Sequence, residues 1–410
     1  MKELYDSIST SWQLSPGMMS LVTVLWILAI AVVVLAFMAT FAGVTSWVER
    51  RIAGRMMSRI GPNRVGPGGS LQWIADGLKC FLKEDVIPQA VDKPLFRFAP
   101  YLVFAGCFAA FAALPFGYGI VASNIDIGIF YISAITTFVV LGILMAGWSS
   151  NNKWSLLGGI RSAAQIVSYE IPTGLAVLTI VVLAGTLNMQ EIIKQQGGWP
   201  WYWFIFHNPF SLVAFFIFFS SILAEGNRTP FDLPEAESEL VAGYLTEYSG
   251  MRFVFFFFAE WANLWVMSAI ITTLFLGGWQ IPGVADLGSV IEKSAGTVKY
   301  LWILASVASF FSKTLLFVFI VIWVRWTLPR LRVDQLMIMC WKYFVPIGFI
   351  CLIGSALFAI LPQTGAWYWF QLSIKLILTA SGFGGVVILL WRSFYNIRAL
   401  DDKIYFKVWE

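Results

Sequence analysis

Nine apolar runs, most of them close to the length that crosses a bilayer, leave this 410-residue chain little choice of fold. They are Met18–Val48, Ala99–Phe116, Ile127–Trp148, Ala163–Leu187, Phe210–Ala224, Phe253–Leu276, Leu301–Trp323, Tyr343–Leu361 and Trp367–Trp391. A hydrocarbon core about 30 Å thick takes roughly 20 apolar residues in helical form. The backbone finds no water there, so its N–H and C=O groups must pair within the segment. Only 12% of residues are charged, against about 25% in soluble domains. The expected fold is an all-α polytopic membrane protein with nine transmembrane helices. The first run of 31 residues rises about 46 Å as a helix, so it tilts or protrudes. The opening MKELYDSISTSWQLSPG has no basic n-region and no cleavage motif, so that first run is expected to stay in place as a helix.

Lys and Arg fall in alternate loops, 21 on one side and 4 on the other. Under the positive-inside rule this puts the N-terminus outside and the C-terminus in the cytoplasm. The first basic loop is arginine-rich, with turns at Gly61-Pro62 and Gly66-Pro67-Gly68-Gly69. From Ser70 to Lys83, Leu71, Ile74, Leu78, Phe81 and Leu82 share one helical face, opposite Asp76, Lys79 and Lys83. That pattern predicts an amphipathic helix on the membrane surface. Such a loop can simply bind anionic lipid, but arginines between rigid turns point to contact with another protein.

Ala224–Gly250 carries Glu225, Asp232, Glu235, Glu237, Glu239 and Glu247 between two membrane-grade runs. Pro230 and Pro234 break the incoming helix. Asp232 with Glu235 has capping-box spacing, and Glu235 and Glu239 then share a face at i, i+4. A solvated acidic loop would carry the same charges. Against that reading, single glutamates recur inside the neighbouring apolar runs: Glu170 beside the helix-kinking Pro172, Glu260 past Arg252, and Glu225 at the end of the fifth run. A charge at the bilayer centre costs about 2.5–3.5 kcal/mol on insertion scales, so such residues face a bundle interior or a watery path. Only Lys313 and Lys375 lie within runs, too few to neutralise these carboxyls, although Lys313 could hold one in a buried ion pair. A row of protonatable carboxyls inside a membrane is what a proton path needs. The four cysteines (Cys80, Cys107, Cys340, Cys351) and the single His207 are scattered, with no ligand spacing for a metal, haem or iron–sulfur cluster.

Four long stretches in order, WVERRIAGRMMSRIGPNRVGPGGSLQWIADGLKCFLKED, AGWSSNNKWSLLGGIRSAAQIVSYE, RTPFDLPEAESELVAGYLTEYSGMRFVFFFFAEWANL and VRWTLPRLRVDQLMIMCWKYFVP, resemble one family of respiratory complex I, the H-type subunit of NADH-quinone oxidoreductase. It is the quinone-chamber subunit of that complex, and in mitochondria the NADH dehydrogenase subunit 1 family. The resemblance covers about Trp26 to Leu361 and implies a single integral membrane domain with a core over 18–361. That core has eight spans, so 362–410 is expected to add a ninth helix and a tail. The resemblance also implies a bacterial inner-membrane protein with a quinone as substrate and no cofactor bound by this chain. Implied partners are the quinone-site subunits of the hydrophilic arm and the small and antiporter-like membrane subunits. On the resemblance, Glu49, Arg50, Arg59, Asp76, Glu235, Arg325 and Arg330 line the quinone chamber. Glu170, Glu225, Glu235, Glu237, Glu239, Glu247 and Glu260 form the acidic path toward proton translocation. Two other functions remain compatible with the residues: the homologous anchor of a membrane-bound hydrogenase or another dehydrogenase, and a stand-alone ion transporter. The arginine-rich loop together with PEAESE favours the quinone subunit over the first. The absence of a convincing inverted repeat argues against the second.

Overall fold

The structure, a computed structural model, describes residues 16–234, 237–284, 286–294, 296–360 and 366–401. Among them the chain is all helix and connection, with one isolated bridge between Gly117 and Ile120. In chain order the helices are α1 (Pro16–Met56), α2 (Gln72–Leu82), α3 (Lys93–Ala110), α4 (Gly128–Ser149), α5 (Lys153–Ala184), α6 (Met189–Gln195), α7 (Pro209–Glu225), α8 (Glu237–Leu240), α9 (Gly250–Phe275), α10 (Leu287–Lys293), α11 (Thr297–Thr327), α12 (Val333–Ile338), α13 (Val345–Ile360) and α14 (Ala366–Asp401). A wider π turn, Met339–Phe344, joins α12 to α13. Six stretches are long and apolar enough to cross a membrane: α1 from Val22, α4, α5, α9, α11 and the joined α12–α13. The shorter α3 and α7 pack among them, and α14 supplies the ninth apolar helix at the edge.

Helix ends follow local chemistry rather than the ends of the apolar runs. The second run was expected over 99–116, but its helix spans Lys93–Ala110. Asp92 precedes it, Pro94 pre-sets the first turn, and Leu114-Pro115 cannot continue a helix. The fourth starts ten residues before its apolar run, at Lys153, because Asn152 Oδ1 accepts from Trp154 N–H at 3.0 Å. It ends where Gly185 takes φ 66°, a left-handed cap that suits glycine. The segment through Leu233 is coil and the next described helix begins at Glu237; Glu235, the partner expected for Asp232 in a capping box, lies outside the described residues.

The centre of the bundle is α9, which packs on α1, α3 and α11. Every residue from Trp261 to Phe275 is buried. A helix apolar on all sides belongs inside. Pro172 sits within α5, where its missing N–H frees the Ser168 carbonyl. Cys340, from the π turn, takes that carbonyl by donating its thiol at 3.1 Å. Tyr169 Oη also reaches across, donating to Leu336 O at 3.0 Å. The carbonyl freed by Pro172 is therefore tied to the π turn, and Cys340 is more than an apolar filler.

The amphipathic α2 is as expected, with Leu71, Ile74, Leu78, Phe81 and Leu82 all exposed on this chain. Glycine lets it lie against α1, since a Cβ on Gly43 would overlap the Trp73 ring. On α14, Lys375 lies between buried Gln371 and Thr379 at i, i+4 spacing, on the face turned to the 200–206 turns. His207 is nearby, its Nδ1 buried without a protein partner among the described residues. Burial, and then the Lys375 charge, lower His207 to about 4. An unfolded histidine titrates near 6.5, so the unfolded state binds the extra proton between these values. Stability is expected to be complete above pH 6.5 and to fall as pH drops toward 4. A His207→Gln variant should flatten that acid limb in thermal unfolding of the purified complex; an unchanged slope would show that His207 does not cause it.

Candidate functional site, a buried charge row beside a basic fissure

One end of the bundle gathers the basic loops, and there the chain folds an arginine inward. After α7 ends at Glu225, the backbone doubles back: Gly226 N–H donates to Ile222 O, Arg228 N–H to Leu223 O, and Phe231 N–H to Arg228 O. The turn carries Arg228 into the core, where it is 2% exposed. Its guanidinium stacks on Trp261 at 4.3 Å. It lies 3.2 Å from Glu260 on α9 and 3.8 Å from Glu49 on α1. Glu49 also accepts from Arg325 of α11 at 2.9 Å and from Trp326 Nε1 at 3.3 Å. Two guanidiniums and two carboxylates from three helices and a turn thus form one set.

Apart from this set lie Glu170, partly buried, and Glu225, buried. Both line a cavity of about 220 Å³ with Ser133, Thr136 and Thr173. Thr137 Oγ1 donates to Glu170 at 3.5 Å. No cation comes within ion-pair distance of either carboxyl among the described residues. Lys313, the candidate partner, lies elsewhere. It donates to three backbone carbonyls, Leu276, Gly278 and Gln280, at 2.8, 3.0 and 2.8 Å, beyond the C-terminus of α9. A helix C-terminus offers unpaired carbonyls that suit an ammonium group. A second, water-sized cavity of about 30 Å³ touches both Glu225 and Glu260. Shared cavities and ion pairs link them in the order Glu170, Glu225, Glu260, Arg228, Glu49, Arg325.

Beside this row opens a fissure of about 310 Å³ between α1, α2 and α9. Its wall is mostly apolar, with Trp73, Phe253, Phe257 and Phe258, while Arg50 and Asp76 supply charge. These two pair at 2.6 Å, and Gln72 donates to Asp76 at 2.9 Å. Arg50, Asp76, Lys79, Lys83 and Tyr248 line a wider adjoining cavity of about 630 Å³.

Not every expected site residue joins these groups. Arg59 is exposed on the loop after α1. Arg330 is half-buried, and one of its terminal nitrogens is buried without a hydrogen-bond acceptor among the described residues. Glu235 lies outside the described residues; Glu237 opens α8, but its side chain is outside them too. Glu239 is latched to Arg161 of α5 at 2.6 Å and is half-exposed. Glu247 accepts from Asn152 Nδ2 at 2.7 Å, tying the 241–249 loop to the start of α5. Sequence reasoning missed Arg228, counting it as a loop charge. Its signal was the lone arginine in EGNRTP, directly behind a span-ending glutamate.

This fold and site define an all-α membrane protein with a charge row inside its bundle and no cluster of metal ligands among the described residues. The chain belongs to the NADH dehydrogenase family, whose model matches residues 28–356 and so ends before α14. Its relatives are named as the H-type subunit of NADH-quinone oxidoreductase. That of Anaeromyxobacter dehalogenans is 53% identical over 397 residues, 94% of each chain. That of Chlorobium luteolum is 48% identical over 345 residues, 82% of this chain and 90% of its own. The NADH-quinone oxidoreductase subunit 8 of Rhodothermus marinus is 45% identical over 340 residues, covering 82% and 98%.

Arg228 generates the test. Removing one partner of a buried charge set costs about 3–5 kcal/mol, because the remaining charges stay buried. Arg228→Met should therefore sharply lower the amount of assembled complex, while Arg228→Lys, which keeps the charge, should recover part of it. Equal assembly of all three proteins on a native gel would show that the carboxylates do not need the cation.

Proposed function

We propose that this chain forms the quinone chamber of a proton-translocating NADH:quinone oxidoreductase and links quinone reduction to proton movement. As a family member it is a membrane subunit of an enzyme complex whose other subunits are its partners. In this reading the basic end faces the cytoplasm, where subunits of the hydrophilic arm close the chamber over α2 and the arginine-rich loop. The quinone ring and tail enter through the fissure between α1, α2 and α9. Such sites are mostly apolar, with a few placed polar groups, which matches a wall of Trp and Phe with Arg50 and Asp76 at its polar end. Glu49, Arg59, Glu235, Arg325 and Arg330 complete the chamber. Glu170, Glu225 and Glu260, with the loop acids Glu237, Glu239 and Glu247, carry the proton link toward small and antiporter-like membrane subunits. The ninth helix, α14, serves packing and lipid contact.

The observation that carries this reading is continuity. Glu49 stands beside the fissure residue Arg50 and is joined to Glu260 through Arg228. Cavities then connect Glu260 to Glu225 and Glu225 to Glu170. Reduction of a quinone to a quinol takes up two electrons and two protons. Anionic character on the partly reduced ring pulls on Arg50, Arg325 and Arg228, and the freed carboxylates then draw protons along the row. A ligand can bias distant groups only through such a difference in interaction energy between states.

Glu170→Gln keeps shape and hydrogen bonding but cannot release a proton. The assembled variant should lose quinone-linked NADH oxidation and proton uptake in liposomes together, while NADH oxidation by an artificial acceptor persists. An assembled variant that pumps like wild type would remove Glu170 from the row.

A further inference from the structure

The small cavity between Glu225 and Glu260 has one polar wall that the carboxyl row leaves unexplained. Asn263 stands three residues beyond Glu260 on α9, so both lie on one face of the helix. It is 7% exposed, and its Oδ1 is buried with no donor among the described residues. Native proteins satisfy such an atom with a protein group or an ordered water. Farther along α9, Thr272 and Thr273 donate to Ala269 O and Ile270 O, whereas Trp261 Nε1, Trp265 Nε1 and Ser268 Oγ are also buried without a hydrogen-bond partner among the described residues. Of these orphaned groups Asn263 is the one that lines the cavity, and its amide oxygen can only accept.

The cavity measures about 30 Å³, and Glu225, Asn227, Glu260 and Asn263 line it among apolar residues that include Val103 and Phe256. A buried water needs about 10–15 Å³ and two to four polar partners. Both conditions are met here, and two of the partners are the carboxyls of the row. We infer that Asn263 is a positioning residue that seats one water between Glu225 and Glu260, and that this water passes the proton between them. The inference rests on the carboxyl-row reading above. The water donates one O–H to Asn263 Oδ1 and keeps its other O–H and its lone pairs for the carboxyls. In the transfer an O–H bond of protonated Glu225 breaks as one forms to the water oxygen. A water O–H then breaks as one forms on Glu260, so the water is unchanged and one proton has moved. The amide suits this task because it orients the water without competing for the proton. Arg228 holds Glu260 from another side at 3.2 Å.

The test uses the assembled complex in liposomes. Asn263→Leu keeps volume and removes the acceptor. Its quinone-linked kcat should fall on the order of 10- to 100-fold, the usual cost of misplacing a reacting group. Its quinone KM and its artificial-acceptor activity should stay at wild-type values, because the seat lies away from the chamber. Asn263→Ser, which offers a hydroxyl and room for water, should recover most of the rate. A high-resolution map of the wild-type complex should show water density within hydrogen-bond distance of Asn263 Oδ1. Wild-type kcat in assembled Asn263→Leu, beside a Glu225→Gln variant that has lost it, overturns the water seat but leaves the row. Wild-type kcat in Glu225→Gln as well overturns both. If Asn263→Leu fails to assemble, the map decides: resolved waters elsewhere in the bundle and none at Asn263 contradict the inference.

Discussion

A guanidinium cannot be deprotonated inside a protein, so a chain that buries Arg228 must bury negative charge with it. Much of the basic end follows from that requirement. Glu49 comes from the first long helix and Glu260 from the central one, and Arg228 holds them from a turn between α7 and α8. Arg325 of α11 joins through Glu49, so four distant segments meet at one electrostatic set. Trp261 closes it by stacking under the Arg228 guanidinium, and Trp326 by donating its indole N–H to Glu49. Replacing a buried ion pair by apolar groups is often neutral, or stabilising by about 1–4 kcal/mol. Stability alone therefore gives no reason to keep this set; the proposed role in charge transfer would.

Glu170 and Glu225 lie outside that balanced set. Among the described residues they face hydroxyls, cavities and apolar wall rather than a cation. The lysine that might have fixed them, Lys313, is held by the carbonyls beyond α9 instead. The bundle thus separates two kinds of charge. One group is paired near the fissure and orders the helices. The other is held apart from cations among the described residues, as the proposed proton path requires.

Much of the architecture was legible in the sequence because a bilayer allows so few solutions. Each apolar run became a helix, since unpaired backbone cannot exist in hydrocarbon. The amphipathic α2 was legible from its 3.6-residue spacing. Helix ends were less so, because Asn152, Pro94 and Gly185 decide them and hydropathy does not register caps. The carbonyl freed by Pro172 could be read, yet its partner Cys340 lies far along the chain, 172 residues from Ser168, and has no local mark. Arg228 was misjudged because loop arginines are normally solvated; only the tight turn through Gly226 and Asn227 brings this one inside. Asn263 stayed hidden for a related reason. An amide in a transmembrane helix looks like an ordinary helix contact until its Oδ1 is found, among the described residues, to meet no donor and to border a cavity.

The central claim is that Arg228 makes Glu49 and Glu260 one unit, joining the fissure to the carboxyl row. A double-mutant cycle tests it, using Glu49→Gln, Glu260→Gln and the pair together in assembled complex. The effects are scored as transition-state free energies from quinone-linked kcat/KM. Losing either carboxylate lets Arg228 turn wholly to the other, so the second loss should depend on the first, with a coupling of about 0.5–3 kcal/mol. Effects that add within about 0.3–0.5 kcal/mol, the range for independent sites, would contradict the account.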